Sequence, residues 1–267
     1  MKPIVSIAGL LLFLSSLAAP LWAHGVFVPL PRNPSQGALE YKVKILATNQ
    51  GNQTRRFQVA EVVPEPSEPP SEELLADLAV PARKVGVFEM LATENASGLL
   101  RVTGAPQMVI GAVLEVRENG ELIDTVSLPG VTAPEEDDHQ ESGILRHSGS
   151  LDHHAQVQGL ALAADGSVST DLVLLNLDEE ERAECAIEFF TAEGQSLARL
   201  AEIVGPIGAA TSLDRVFEAV LLPENRRDLE NIRAKVDCAD GTFYTWAAVY
   251  RNGGRDVVFL TPSVSTK

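Results

Sequence analysis

Basic charge is scarce in this 267-residue chain: 21 Lys and Arg stand against 37 Asp and Glu, for a formal charge of −16. A field of that sign repels nucleic acid and anionic lipid, so neither is expected as a partner. The acidity leaves two readings open, solubility of the chain or attraction to cations and basic surfaces. Long apolar runs are missing after residue 23, so the remainder is expected to contain no membrane span, which takes roughly 20 apolar residues. Hydrolytic and nucleotide chemistry lack their usual motifs: there is no G-x-S-x-G elbow, no H-E-x-x-H pair and no glycine-rich phosphate loop. Paired carboxylates such as Asp137 and Asp138 are neighbours in a charge run, whereas a glycosidase needs two facing carboxyls about 5 to 9.5 Å apart. Cysteine is limited to Cys185 and Cys238, and aromatic residues make up only 5% of the chain.

What is present begins with an address. Lys2 precedes an apolar stretch from Ile4 to Ala19, followed by Pro20-Leu21-Trp22-Ala23. That order reads as a secretory signal peptide over residues 1–23, with Ala18 and Ala19 as competing cleavage points. The mature chain is expected to be soluble and exported, to a bacterial periplasm, the cell surface or the medium. Removing residues 1–23 takes away only Lys2 and leaves the chain one unit more negative. In an oxidising compartment the two cysteines are expected to pair, closing a separation of 53 residues. Such a link is worth on the order of 4 kcal/mol in the chain-entropy model. The alternative, a reactive thiol pair, usually shows close C-x-x-C spacing. Asn52-Gln53-Thr54 and Asn95-Ala96-Ser97 match the glycosylation triplet, which is idle in bacterial export.

The body of the chain repeats itself. Val87-Phe88-Glu89 recurs as Val216-Phe217-Glu218, and the same displacement lays Val43, Ile45 and Leu46 over Leu172, Leu174 and Leu175. Short alternating or apolar segments predict strands at Tyr41–Ile45, Phe57–Val59, Leu99–Val102, Met108–Val116 and Leu122–Leu128. A second series falls at Leu172–Leu177, Cys185–Phe190, Ile232–Val236, Phe243–Tyr250 and Asp256–Leu260. Asn119-Gly120 predicts a hairpin, since both residues accept positive φ cheaply. The shared Val-Phe-Glu phrase is read as a short helix or turn bridging two sheets, with Thr211 and Ser212 as caps. Ser71–Leu78 has room for one or two helical turns after the acidic, proline-rich stretch Pro64–Pro70. The fold class is therefore all-β: two tandem antiparallel β-sandwich domains related by internal duplication. Their expected limits are 24–131 and 156–267, joined by an acidic, histidine-containing linker over 132–155. The arrangement resembles bacterial exported proteins with tandem immunoglobulin-like modules. With Cys185 on an early strand and Cys238 at the end of a late one, an inter-sheet disulfide fits. Trp246 lies after Cys238 and not between the cysteines, which departs from the antibody-type order.

Two groups of residues are candidates for sites. The linker and its border hold His139, His147, His153 and His154 among several carboxylates, a donor set suited to zinc, nickel or copper. The spacing matches no standard site, and adjacent His153 and His154 do not face one metal from an extended strand. The fifth histidine, His24, becomes the amino terminus if cleavage follows Ala23. That start resembles the lytic polysaccharide monooxygenases, whose terminal amine and imidazole chelate copper; it implies a second histidine, and the first module has none. Tyr244, Trp246 and Tyr250 share one strand face and suit either carbohydrate stacking or a buried core. The function expected is a non-enzymatic structural, adhesive or protein-binding one, with an unidentified protein or cell-surface component as partner and no cofactor. The alternatives are a metal-binding protein or copper oxidase-type enzyme using His24 and the linker histidines, with copper or zinc as the metal, and a carbohydrate-binding module.

Overall fold

The structure, a computed structural model, describes residues 25–32, 38–63, 70–92, 98–132, 145–146, 153–177, 182–205, 210–239 and 242–266. These form antiparallel strands almost throughout, with one short α-helix and two 3-10 turns. Sheet I contains, in spatial order, β4 (Ser71–Val80), β3 (Arg55–Val63), β6 (Gly98–Gly104), β1 (Val26–Leu30) and β9 (Val131–Thr132). Sheet II contains β5 (Val85–Leu91), β2 (Leu39–Asn49), β7 (Met108–Glu118) and β8 (Glu121–Ser127). Sheet III contains β10 (Leu145–Arg146), β17 (Thr242–Arg251), β12 (Ser169–Asn176) and β15 (Ala210–Leu213), and β18 (Asp256–Leu260) also pairs with β17. Sheet IV contains β14 (Ser196–Gly205), β13 (Ala183–Phe190), β16 (Leu229–Cys238), β11 (His153–Leu162) and β19 (Ser263–Thr266).

The strand order is written twice. Sheet I runs 4-3-6-1-9 and sheet IV runs 14-13-16-11-19, while sheet II runs 5-2-7-8 and sheet III connects 15, 12, 17 and 18 in that order. A constant-type immunoglobulin sandwich sets its first strand beside the second and its seventh beside the sixth. Here β1 lies beside β6 and β7 beside β2, and β11 and β17 repeat the exchange.

Alternation of side chains explains the layering. In β2 the residues Tyr41, Val43, Ile45 and Ala47 are fully buried, and the lysines between them face outward, as the two-residue period of a strand requires. One apolar cluster joins these to Val28, Leu30, Phe57, Val59, Leu100, Val102, Leu114 and Val116, between sheets I and II. A second joins Leu160, Leu172, Leu174, Ile187, Phe189, Ile232 and Val236, between sheets III and IV. Each pair of sheets is thus sandwich-like. Asn119 (φ 52°) and Gly120 (φ 82°) make the expected tight hairpin between β7 and β8, because two successive positive φ values match the strand twist.

Several expectations change. Ser71–Val80 is a strand, not helical turns: it lies along β3 as an edge and packs Leu75, Ala76 and Leu78 inward. Val87-Phe88-Glu89 lies in β5, whereas Val216–Val220 is the helix α1. Thr211 and Ser212, read as caps, belong to β15, and Arg215 is the residue before the helix. The ladders show that the phrases are not equivalent. Ile45 pairs with Phe88, and its counterpart Leu174 pairs with Thr211. Ala210-Thr211-Ser212 therefore occupies the place of Val87-Phe88-Glu89, and the identical words serve different structures. The second series of strands also opens earlier than expected, since β11 begins at His153 and β10 pairs with β17. The proline-rich stretch 64–69 lies outside the described residues.

Cys185 and Cys238 are bonded, but within one sheet and not between two. They are direct cross-strand neighbours on β13 and β16, with Cα atoms 4.0 Å apart. The protein with both changed to alanine is expected to lose about 2 to 4 kcal/mol, read from urea midpoints. An unchanged midpoint would show that the β13–β16 ladder suffices alone.

Candidate functional site: the seam between the two halves

The residues on β12 and β17 are buried on both faces of sheet III. One face serves the second sandwich through Leu172, Leu174, Phe243 and Ala247. The opposite face puts Val173, Leu175, Tyr244 and Trp246 against Phe27, Val62, Leu99 and Val131 of sheet I. Trp246 is only 1% exposed, and its ring centroid lies 6.0 Å from that of Tyr244. Farther along the same face, Ala248 and Tyr250 join the core of the first sandwich, as does Val257 of β18. The sequence thus uses its most aromatic strand to hold one half against the other. Burial raises the Tyr244 phenol to about 12.

Polar groups close the seam at one end. Asp171, at the start of the apolar run of β12, is 1% exposed. It accepts from the Arg215 backbone N–H at 2.7 Å and from Arg32 Nε and Nη2 at 3.3 Å each. Arg32 also lies 3.9 Å from Asp214 and 6.0 Å from the centre of the Tyr250 ring. Tyr41 donates to the Gly254 carbonyl at 2.6 Å, and its ring stacks parallel to that of Tyr250 with centroids 6.5 Å apart. Arg255 pairs with Glu118 at the surface. Because both partners are in different halves, every one of the Arg32–Asp171, Tyr41–Gly254 and Arg255–Glu118 contacts is a tie across the seam.

Electrostatics follow from burial. Desolvation pushes the Asp171 carboxyl above its ordinary value, and the Arg215 N–H and the Arg32 charge oppose that rise. Burial works against the Arg32 charge, yet Asp171 and then Asp214 hold its pKa above normal. The Tyr250 phenol is raised well above its usual range, first by burial and then by the Asp171 charge, and Tyr41 is raised by the same two causes. Both phenols stay protonated at neutral pH, and the carboxylate is engaged by donors from two sides. The hydrogen bonds and the ion pair of this cluster tie the two halves together. Beside it opens a polar cleft of about 300 Å³ lined by Arg32, Asp165, Ser167, Ser169, Arg215 and Tyr250.

The residues expected to form sites are distributed differently. Tyr244, Trp246 and Tyr250 do share a face and all three are buried, Tyr250 also at the wall of the polar cleft. His24, His139 and His147 lie outside the described residues. His153 and His154 are consecutive in β11; His154 is 5% exposed, with Nε2 2.9 Å from the Gln156 side-chain nitrogen. Among the described residues no three His, Cys, Asp or Glu side chains form a metal-binding group, and no helix is long and apolar enough to cross a membrane. The seam itself escaped sequence reading. Its signal was the unbroken run Leu172-Val173-Leu174-Leu175, since a strand apolar on both faces must be covered twice. Comparison of the chain with family models, curated proteins and solved structures finds no match.

Proposed function

We propose that the chain is an exported, non-enzymatic structural, adhesive or protein-binding protein, built of two immunoglobulin-like β-sandwich modules that arose by internal duplication. The repeated strand order supports duplication. The first 23 residues and the disulfide support export. The single observation that carries the functional reading is the seam. An apolar cluster and a half-buried ion pair join the modules, so their outer faces keep one spacing and angle. Paired domains with a small polar contact move relative to each other; a seam centred on a buried indole suits a spacer or a composite binding surface.

The test uses the exported, processed chain. Its amino terminus is sequenced, and the protein is titrated with Cu²⁺ by calorimetry. The expected outcome is His24 at the terminus and no tight one-to-one copper site. A one-to-one site lost in His24→Ala would overturn the reading in favour of a copper protein.

A further inference from the structure

Because the two halves share a strand order, their connecting loops correspond. The β2–β3, β4–β5 and β6–β7 loops of the first half answer to β12–β13, β14–β15 and β16–β17 of the second. In the first half these three loops meet at one end of the sandwich. Asn49 N–H donates to the Lys84 carbonyl and Gln50 N–H to the Gln107 carbonyl, both at 2.9 Å. The fully buried Asn49 side chain donates to the carbonyls of Gln53, Val80 and Pro81 and accepts from the Gly51 N–H. A Cβ at Gly51 would lie 2.8 Å from Gln107 Oε1 and 3.7 Å from Arg55 Nε, so those two side chains close over the β2–β3 loop. One buried amide thus holds the end of the sandwich as a unit, and loops gathered on a rigid scaffold are where such folds bind partners.

Charge marks this end out. Of the nine Lys and Arg described in the first half, six form ion pairs: Arg32, Lys42, Lys44, Arg56, Arg101 and Arg117. The other three, Arg55, Arg83 and Lys84, have no carboxylate partner among the described residues, and all three belong to this loop cluster. Arg83 and Lys84 are exposed. The loops themselves, Gln50–Thr54, Pro81–Lys84 and Ala105–Gln107, contain no acid. In a chain of −16 they make a basic pole.

The corresponding loops of the second half have the opposite sign in sequence. The β12–β13 connection holds Asp178, Glu179, Glu180 and Glu181, and the β16–β17 turn holds Asp240, against the single cation Arg182. Loops in equivalent positions therefore differ most in charge, and each is complementary to the other. The net charge of each copy opposes association, but at about 0.1 M salt the screening length is about 10 Å. Distant charges are then muted more than those on loops in contact.

We propose that the basic loop cluster of the first half docks on the acidic β12–β13 connection of a second copy, so that the chain associates head to tail. The proposal rests on the structural reading above and names the chain itself as the partner. The two contacting surfaces are different, which makes the interface heterologous and lets it pass from copy to copy. Complementary charge at the contact sets its register and orientation.

The test is sedimentation velocity of the processed protein over a range of concentrations, in about 0.1 M and about 0.5 M salt. Concentration-dependent association is expected, weaker at the higher salt. Arg83→Glu with Lys84→Glu, and separately Glu179→Lys with Glu180→Lys, should each lower the association constant roughly ten-fold or more, since like charges then face each other. Mixing the two double variants should restore association, because each supplies the surface that the other lacks. Urea midpoints show that the variants are folded, and if the first pair does not fold, Lys84→Glu alone carries the same expectation. A protein that stays monomeric at every concentration, a basic-pole variant that associates as well as the unmutated chain, or a mixture that stays dissociated would overturn the proposal. Loss of association in Glu135→Lys with Glu136→Lys but not in Glu179→Lys with Glu180→Lys would overturn it in favour of the linker run. None of these outcomes alters the copper titration, so failure here is distinct from failure of the functional reading.

Discussion

Trp246→Ala is expected to destabilise the protein by about 3 to 5 kcal/mol, the range for deleting a buried aromatic side chain, and to separate one unfolding transition into two. The indole is among the largest fully buried side chains and faces Phe27, Val62, Leu99 and Val131 across the seam. It belongs to neither of the clusters that lie between the paired sheets. Its loss therefore opens a void between the halves while both cores keep their own packing. Calorimetry should show the measured enthalpy exceeding the van't Hoff value, the sign that a two-state unit has divided. The sequence holds two tryptophans, Trp22 and Trp246, so the indole fluorescence of a chain lacking residues 1–23 reports on Trp246 alone. A single transition with an unchanged midpoint would show that the seam contributes little.

Arg32→Ala should cost a similar amount, about 3 to 5 kcal/mol, because it leaves a buried carboxylate without its charge partner. Replacing both partners, as Arg32→Met with Asp171→Leu, should recover most of that loss, since removing a pair together avoids stranding a charge. The pH dependence has a definite sign. The folded-state pKa of Asp171 is raised above its unfolded value, with burial the largest cause. Its contribution is then fully present below the ordinary carboxylate pKa of about 3.9, and it is lost as pH rises through the folded value. Urea midpoints measured upward from acid pH should show the unmutated protein losing ground relative to Asp171→Asn. The loss should be steeper in Arg32→Ala, where the opposing charge is gone. Parallel profiles for all three would refute the assignment of Asp171 as the seam's titrating group.

The strands were readable wherever one face meets water. Alternation at Tyr41–Ile45 and Met108–Val116 and the Asn119-Gly120 turn carried local information sufficient to place β2, β7 and β8. Ser71–Val80 misled because Glu, Leu and Ala favour helices by intrinsic propensity, whereas the edge of β3 offers a ladder that overrides it. The Val-Phe-Glu identity misled in the opposite way. Three shared residues carry no register, and only the cross-strand partners of Ile45 and Leu174 reveal that Phe88 corresponds to Thr211. Asp171 and Arg32 are far apart in the chain, and nothing local to either announces the other. The aromatic strand was read correctly as sharing one face, but its cover is the other half of the chain and not the facing sheet of its own sandwich.

β17 takes part in all three apolar clusters, through Phe243 and Ala247 in one, Tyr244 and Trp246 in another, and Ala248 and Tyr250 in the third. A chain cut between residues 132 and 145 would thus yield two fragments that each lack part of what they pack against. The first would expose Phe27, Leu99 and Tyr41, and the second would expose Trp246 and Tyr250. Such fragments have the properties of a split reporter: poorly behaved apart, and driven to recombine by the surface that once joined them.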